Sequence, residues 1–152
     1  MEEHEVDFGF EVRLASEHTG GALAIVEHPI APGILAAPVH THSREDECSY
    51  VVAGRIGALI GDRELEAGPG DVIWKPRGVP HAFWNPGPER ALVLELIVPG
   101  GFERFFAGLG PILTAGPPDL AALGELAGRF GLQYDFASIP TLLARGLRPP
   151  GP

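Results

Sequence analysis

Residues Pro38–Gly54 read PVHTHSREDECSYVVAG, and this stretch decides the fold. His40 and His42 stand two apart. In a strand, side chains at i and i+2 share a face, so two imidazoles on one strand can grip one metal ion. Glu47 follows five positions after His42, an odd offset that would put it on the opposite face of a straight strand. The polar run Ser43-Arg44-Glu45-Asp46 is therefore expected to bend the chain. Glu47 then begins the next strand and turns back toward the histidines. A second stretch, Gly70–Asn85 (GDVIWKPRGVPHAFWN), supplies a third histidine, His81. Three neutral imidazoles and one carboxylate suit a divalent transition metal.

The two stretches resemble the paired motifs of the cupin superfamily. His40-Thr41-His42, four residues, Glu47, six residues and Gly54 follow the first motif. Its leading glycine is displaced, because Gly33 lies one residue too far upstream. Gly70, Pro76, Gly78, His81 and Asn85 match the second motif at every spacing. The wording around them is similar to small single-domain cupins of the quercetin dioxygenase-like group. That resemblance implies an all-β fold, a double-stranded β-helix or jelly roll, with the metal inside the barrel. It implies one divalent transition metal per chain, Fe, Mn, Ni, Co, Cu or Zn, held by His40, His42, Glu47 and His81. It also implies a homodimer.

Glu45 and Asp46 compete with Glu47 for the carboxylate position. The distance to Gly54 and the family's use of glutamate favour Glu47, leaving Arg44 and Glu45 as solvated turn residues. His4, His18 and His28 have no such company and read as surface or hydrogen-bonded residues. Phe83 and Asn85 share the face of His81 in a regular strand and are candidates for the pocket wall. Tyr50, Trp74 and Trp84 either stack on an aromatic substrate or serve ordinary packing. Glu95, among apolar neighbours, needs a partner, for which Arg13 is a candidate. Cys48 adjoins Glu47 and faces away from it, which argues against a thiol ligand.

The 152 residues suit one domain with a modest extension. The one cysteine rules out an intramolecular disulfide. The acidic N-terminus has no apolar h-region, and no run approaches the ~18 apolar residues of a membrane span. A cytoplasmic location and no membrane partner are the expectations. A net charge of −9 repels phosphate backbones, so nucleic acid is not an expected partner. The partner expected is a small-molecule substrate.

Gly and Pro punctuation every 6–12 residues marks short strands from Phe8 to Val98, as in a sandwich or barrel. The organisation expected is a barrel over residues 1–100, a helical extension over 101–147 that packs on it, and a loose tail at 148–152. Residues 1–7 read as a frayed acidic arm. In the extension, Phe102, Phe105, Phe106 and Leu109 recur at helical spacing, and Gly110–Pro118 reads as a linker. Asp119 is a candidate N-cap for a stripe of Leu120, Leu123, Leu126, Ala127 and Phe130, which Gly131 ends. Ser138 is a candidate cap for a last turn or two through Leu143.

The leading functional expectation is a metal-dependent dioxygenase acting on a small enol, catechol-like or dicarbonyl substrate, with Glu47 as general base. The alternatives are a metal-dependent isomerase or lyase, or a non-catalytic binding cupin.

Overall fold

A computed structural model describes residues 5–151. Met1 to His4 and Pro152 lie outside the described residues, and with them most of the expected acidic arm, His4 and the last residue of the tail.

The strands are β1 (Glu11–Leu14), β2 (Ala24–Ile30), β3 (Leu35–His42), β4 (Asp46–Ala53), β5 (Ile56–Ile60), β6 (Arg63–Ala67), β7 (Val72–Lys75), β8 (His81–Trp84), β9 (Ala91–Val98) and β10 (Leu132–Tyr134). One sheet runs β1-β2-β9-β4-β7 and the other β10-β3-β8-β5-β6, with antiparallel neighbours throughout. Together they form a double-stranded β-helix. β2, and β9 as far as Ile97, alternate between buried and half-buried positions, because one face of their sheet meets the core and the other does not. Val26, Ile30, Val51, Val93 and Ile97 supply that inner face. Gly54 turns β4 into β5 at φ 75°, where a Cβ would come within 2.7 Å of the Ala91 Cα. Glycine alone fits that close approach.

The bend after His42 separates β3 from β4, and the two strands lie in different sheets. The polar run therefore does more than reverse a hairpin. It carries the chain across the barrel, so Glu47 returns facing the histidines from the opposite wall.

After a 3-10 turn at Phe102–Arg104, helix α1 (Phe105–Thr114) runs through Pro111 and shortens the expected linker to four residues before Asp119. Pro111 is tolerated because it falls in the last half of a short helix, where only the Ala107 carbonyl loses its intrahelical donor. The Asp119 side chain caps α2 (Leu120–Arg129), accepting from the Ala122 N–H at 3.1 Å. Leu123, Leu126 and Ala127 are buried, whereas Leu120 at the start of the stripe is 43% exposed. Beyond Gly131 the chain forms β10, a strand absent from the sequence expectation, which pairs Leu132 with His42 and Tyr134 with His40. The extension thus contributes an edge strand to the barrel as well as helices.

Ser138 stands at the N-cap position of helix α3 (Ile139–Leu143), but its side chain makes no capping hydrogen bond. That hydroxyl instead donates to the Asp135 carbonyl and accepts from the Val39 N–H at 3.0 Å. The tail corrects the expectation of a loose end. Arg148 exchanges backbone hydrogen bonds with Gly33 and Leu35, both at 2.9 Å, and its guanidinium forks onto Asp7 at 2.7 and 3.1 Å. A bidentate arginine and two main-chain bonds fix a segment that composition alone marks as free.

Candidate metal centre

His40 and His42 lie on β3, and His81 on β8 is the registered partner of His40. Glu47 comes from β4 in the facing sheet. One ligand atom from each of the four residues lies within 4.8 Å of the others, and all four residues are buried. Glu47 Oε2 sits 3.4 Å from His42 Nε2 and 3.5 Å from His81 Nε2.

Each imidazole is oriented by its other nitrogen. His40 Nδ1 lies 2.8 Å from the Pro38 carbonyl and His81 Nδ1 lies 3.1 Å from the Val79 carbonyl. His42 Nδ1 lies 3.3 Å from Glu45 Oε2. Acceptors at all three Nδ1 positions put the proton there and leave the Nε2 lone pairs for a cation. His81 Nε2 is buried with no hydrogen-bond partner, an orphan that a metal ion would satisfy. The donor set and this orphan fit a single divalent ion.

Burial, reinforced by the neighbouring imidazoles, holds His40 well below its ordinary value. Burial likewise lowers His81. Burial alone would raise Glu47, but His42, Lys75 and His81 together hold its carboxyl well below the usual range. His40 and His81 are thus held neutral beside an ionised Glu47, the states in which these groups ligate.

Lys75, the single lysine of the chain, is buried beside this cluster. Its Nζ lies 2.8 Å from Glu95 Oε2 and 3.5 Å from Glu47 Oε2. Burial opposes the charge on Lys75, yet Glu95 and Glu47 hold it above its ordinary value. Burial and the nearby Glu47 carboxylate push Glu95 up, against the pull of Lys75. Ser49 donates to Glu95 Oε2 at 2.8 Å. Glu95 therefore finds Lys75 and Ser49, and Arg13 instead pairs with Glu27 and Glu11 at the surface. The alternation of Lys75 with buried Ile73 was the available signal that this lysine points inward.

Above the cluster lies a cavity of ≈330 Å³. This is near the small end of the range for ligand pockets, roughly 300–1,000 Å³. Its walls are mostly apolar and come largely from the C-terminal extension: Phe102, Phe105, Phe106, Leu109, Leu123 and Tyr134 among them. Phe83 also lines it. The other proposed aromatics do not. Tyr50 and Trp74 are 41% and 56% exposed on the outer surface, and Trp84 is buried in a separate cluster with Leu35 and Leu142. Alternation explains this, since Tyr50 and Trp74 occupy the outward phase of β4 and β7.

Asn85 serves the backbone. Its side chain donates to the Ile30 and Glu89 carbonyls and accepts from the Gly87 N–H at 2.8 Å. Glu45, expected in solvent, is buried against His42. Asp46 binds Arg77 at 3.0 Å, away from the cluster. Arg44 lies near the Arg129 carbonyl at 3.4 Å. Cys48 stands outside the cluster, and burial pushes its thiol up.

Residues 27–98 match the family model described as a cupin domain. Among solved structures, KdgF from Halomonas sp. is similar at 21% identity, with 67% of this chain and 92% of that chain covered and a TM-score of 0.58. TT1209 from Thermus thermophilus is 24% identical over 61% of this chain and 84% of its own, with a TM-score of 0.55. The oxalate decarboxylase of Lactobacillus farciminis, solved as a formate complex, is 20% identical over 62% of this chain and 30% of its own, with a TM-score of 0.56. No curated protein matches the chain.

Proposed function

We propose, starting from the match of residues 27–98 to the cupin domain model, that the chain is a metal-dependent dioxygenase acting on a small enol, catechol-like or dicarbonyl substrate. The observation that carries this reading is the convergence of His40, His42, Glu47 and His81 at the edge of a cavity walled by apolar side chains. In this reading those four residues hold one divalent ion per chain. Bound there, such an ion would supply Lewis-acid and, for a redox-active metal, electron-transfer chemistry.

The chain's own residues do the rest. In this reading Glu47, ionised and next to His42 and His81, takes the proton of an enol or catechol hydroxyl. Its negative charge is steadied by Lys75 at 3.5 Å, which Glu95 holds in place. Phe102, Phe105, Phe106 and Leu109 exclude water and accept a planar apolar body. A polyhydroxylated sugar would strand its hydroxyls on such walls, which favours the oxidative reading over a sugar isomerase. Fold alone decides nothing here, since the same barrel is found in an oxalate decarboxylase.

The test is elemental analysis of gently purified protein, then oxygen uptake with flavonols, β-dicarbonyls and catechols. Redox-active metal with uptake is the expected result. In Glu47→Gln, turnover should fall by about 10²-fold or more while metal content falls far less. Equal turnover of a keto acid or sugar without oxygen would replace this reading with the isomerase or lyase.

A further inference from the structure

Outside the four-residue cluster and the Lys75–Glu95 pair, His28 is the imidazole that lines the cavity among the described residues. His28 on β2 is 2% exposed and lines the cavity. Its Nδ1 lies 2.9 Å from the Gly9 carbonyl. That carbonyl can only accept, so Nδ1 carries the proton and Nε2 presents a lone pair. Among the described residues, no protein donor reaches Nε2.

The ring cannot turn away to find one. Phe8 stacks on it at 5.0 Å, and Phe106 meets it edge-on at 5.1 Å. Burial pushes His28 down to about 4, so it stays a neutral acceptor near pH 7. The charged groups whose fields reach it are Lys75 and Glu47. Lys75 is held by Glu95, and Glu47 belongs to the four-residue cluster.

We propose that His28 Nε2 is a specificity-determining acceptor, receiving a hydrogen bond from one hydroxyl or N–H of an otherwise apolar substrate whose opposite end chelates at the metal cluster. This rests on the reading of His40, His42, Glu47 and His81 as a metal centre. It narrows the substrate class to a ring-bearing molecule with one chelating end, one further donor and no second charge. Lys75 and Glu95, the charged groups of the wall beyond the cluster, are paired with each other, and a second charge on the substrate would be costly against the remaining apolar side chains. A substrate lacking the donor leaves Nε2 unsatisfied, and that difference is the source of discrimination.

The experiment uses the full chain loaded with Zn(II), so that no oxygen chemistry intervenes. The probes are benzohydroxamate, its 3- and 4-hydroxy derivatives and the matching methoxy compounds, with affinities measured by calorimetry. At least one hydroxy isomer should bind about tenfold more tightly than its methoxy counterpart. That preference should vanish in His28→Phe, which keeps an aromatic ring in place, while zinc content holds and the donor-free benzohydroxamate binds at least as tightly as to wild type.

Should His28→Phe fail to fold, nitrogen NMR of wild-type His28 gives the same answer. The Nε2 resonance should move with the hydroxy probe and stay with the methoxy probe. Equal affinities for every hydroxy and methoxy pair, or a preference that survives in His28→Phe, overturns the assignment of His28 alone. Failure of the protein to take up zinc, or of any hydroxamate to bind the zinc form, overturns the metal-centre reading and this proposal with it.

Discussion

Lys75 sits where a charge is hardest to keep. It is almost fully buried, with Glu95 at 2.8 Å and Glu47 at 3.5 Å. Two carboxylates this close to one another would compete for ionisation without a cation between them. The lysine lets Glu47 stay charged beside the histidines while Glu95 anchors the lysine. Such an arrangement is fragile, because removing one member leaves another charge buried and unpaired. Lys75→Met should therefore cost about 3–5 kcal/mol of stability, read from denaturant melts. The paired change Lys75→Met with Glu95→Leu should recover a large part of that loss. A Lys75→Met protein as stable as wild type would show that this network is not ionised in the way the geometry implies.

At the scale of single elements, β10 has the greatest consequence for its size. Its three residues run along His40, Thr41 and His42, and so close the edge of β3. Gly131 makes the entry possible. It stands at φ 67°, and a Cβ there would meet Ser43 Oγ at 2.5 Å and Arg44 Nε at 2.8 Å. Its carbonyl also accepts from the Ser43 N–H at 3.0 Å and the Ser43 hydroxyl at 2.7 Å. Gly131→Ala should cost about 1–2 kcal/mol from left-handed strain, and more if β10 is displaced. Metal affinity should fall with it, because the displaced strand is the one that braces β3. Gly128→Ala is the internal control. It lies within α2 with open space around the built Cβ, so it should stabilise the protein by about 0.5–1 kcal/mol. Denaturant midpoints of the two variants should move in opposite directions, and metal titrations should weaken only for Gly131→Ala.

For the molecule as a whole, the barrel and its extension share the cavity. Phe102 to Leu123 close it from the extension side, and β10 and the docked tail tie that side to the barrel. Deleting residues 117–152 removes α2, β10 and the Arg148–Asp7 fork while leaving all four candidate ligands in the chain. Such a protein should melt lower, bind an apolar fluorescent dye and lose solubility. Unchanged melting and solubility would mean that the extension is only an accessory.

Acid is the second test of the whole molecule. His28, His40 and His81 are each depressed by burial, His28 to about 4 from 6.5. The unfolded chain takes up these protons below about pH 6.5, and the folded chain does not. Their unfavourable contribution is therefore absent above 6.5 and grows as pH falls toward the folded values. For His28 alone this amounts to about 3 kcal/mol by pH 4. Urea melts of metal-free protein should weaken steadily over that window, and His28→Phe should have a shallower slope. A slope unchanged by His28→Phe would mean that this histidine is not held neutral.

Much of the barrel was legible because its signals are local. Alternation in β2 and β9, turn residues at Gly54 and Gly78, and the spacing of His40, His42, Glu47 and His81 depend only on backbone periodicity. Periodicity puts side chains on known faces before any tertiary contact exists. The Asp119 cap and the Gly131 stop were legible for the same reason. What lay beyond the sequence depends on which distant segments meet. β10 is too short to announce itself, and it forms because β3 offers an open edge. The tail is fixed by Asp7, more than a hundred residues away. Glu45 reads as a turn residue until β3 and β4 bury it against His42. Tyr50, Trp74 and Trp84 share the aromatic character of Phe102 and Phe106, but only the packing of the sheets and helices decides which rings face the cavity. The sequence determined the cluster by short-range spacing. The tertiary structure decided the cavity, because a wall built from two ends of a chain exists only after they have packed.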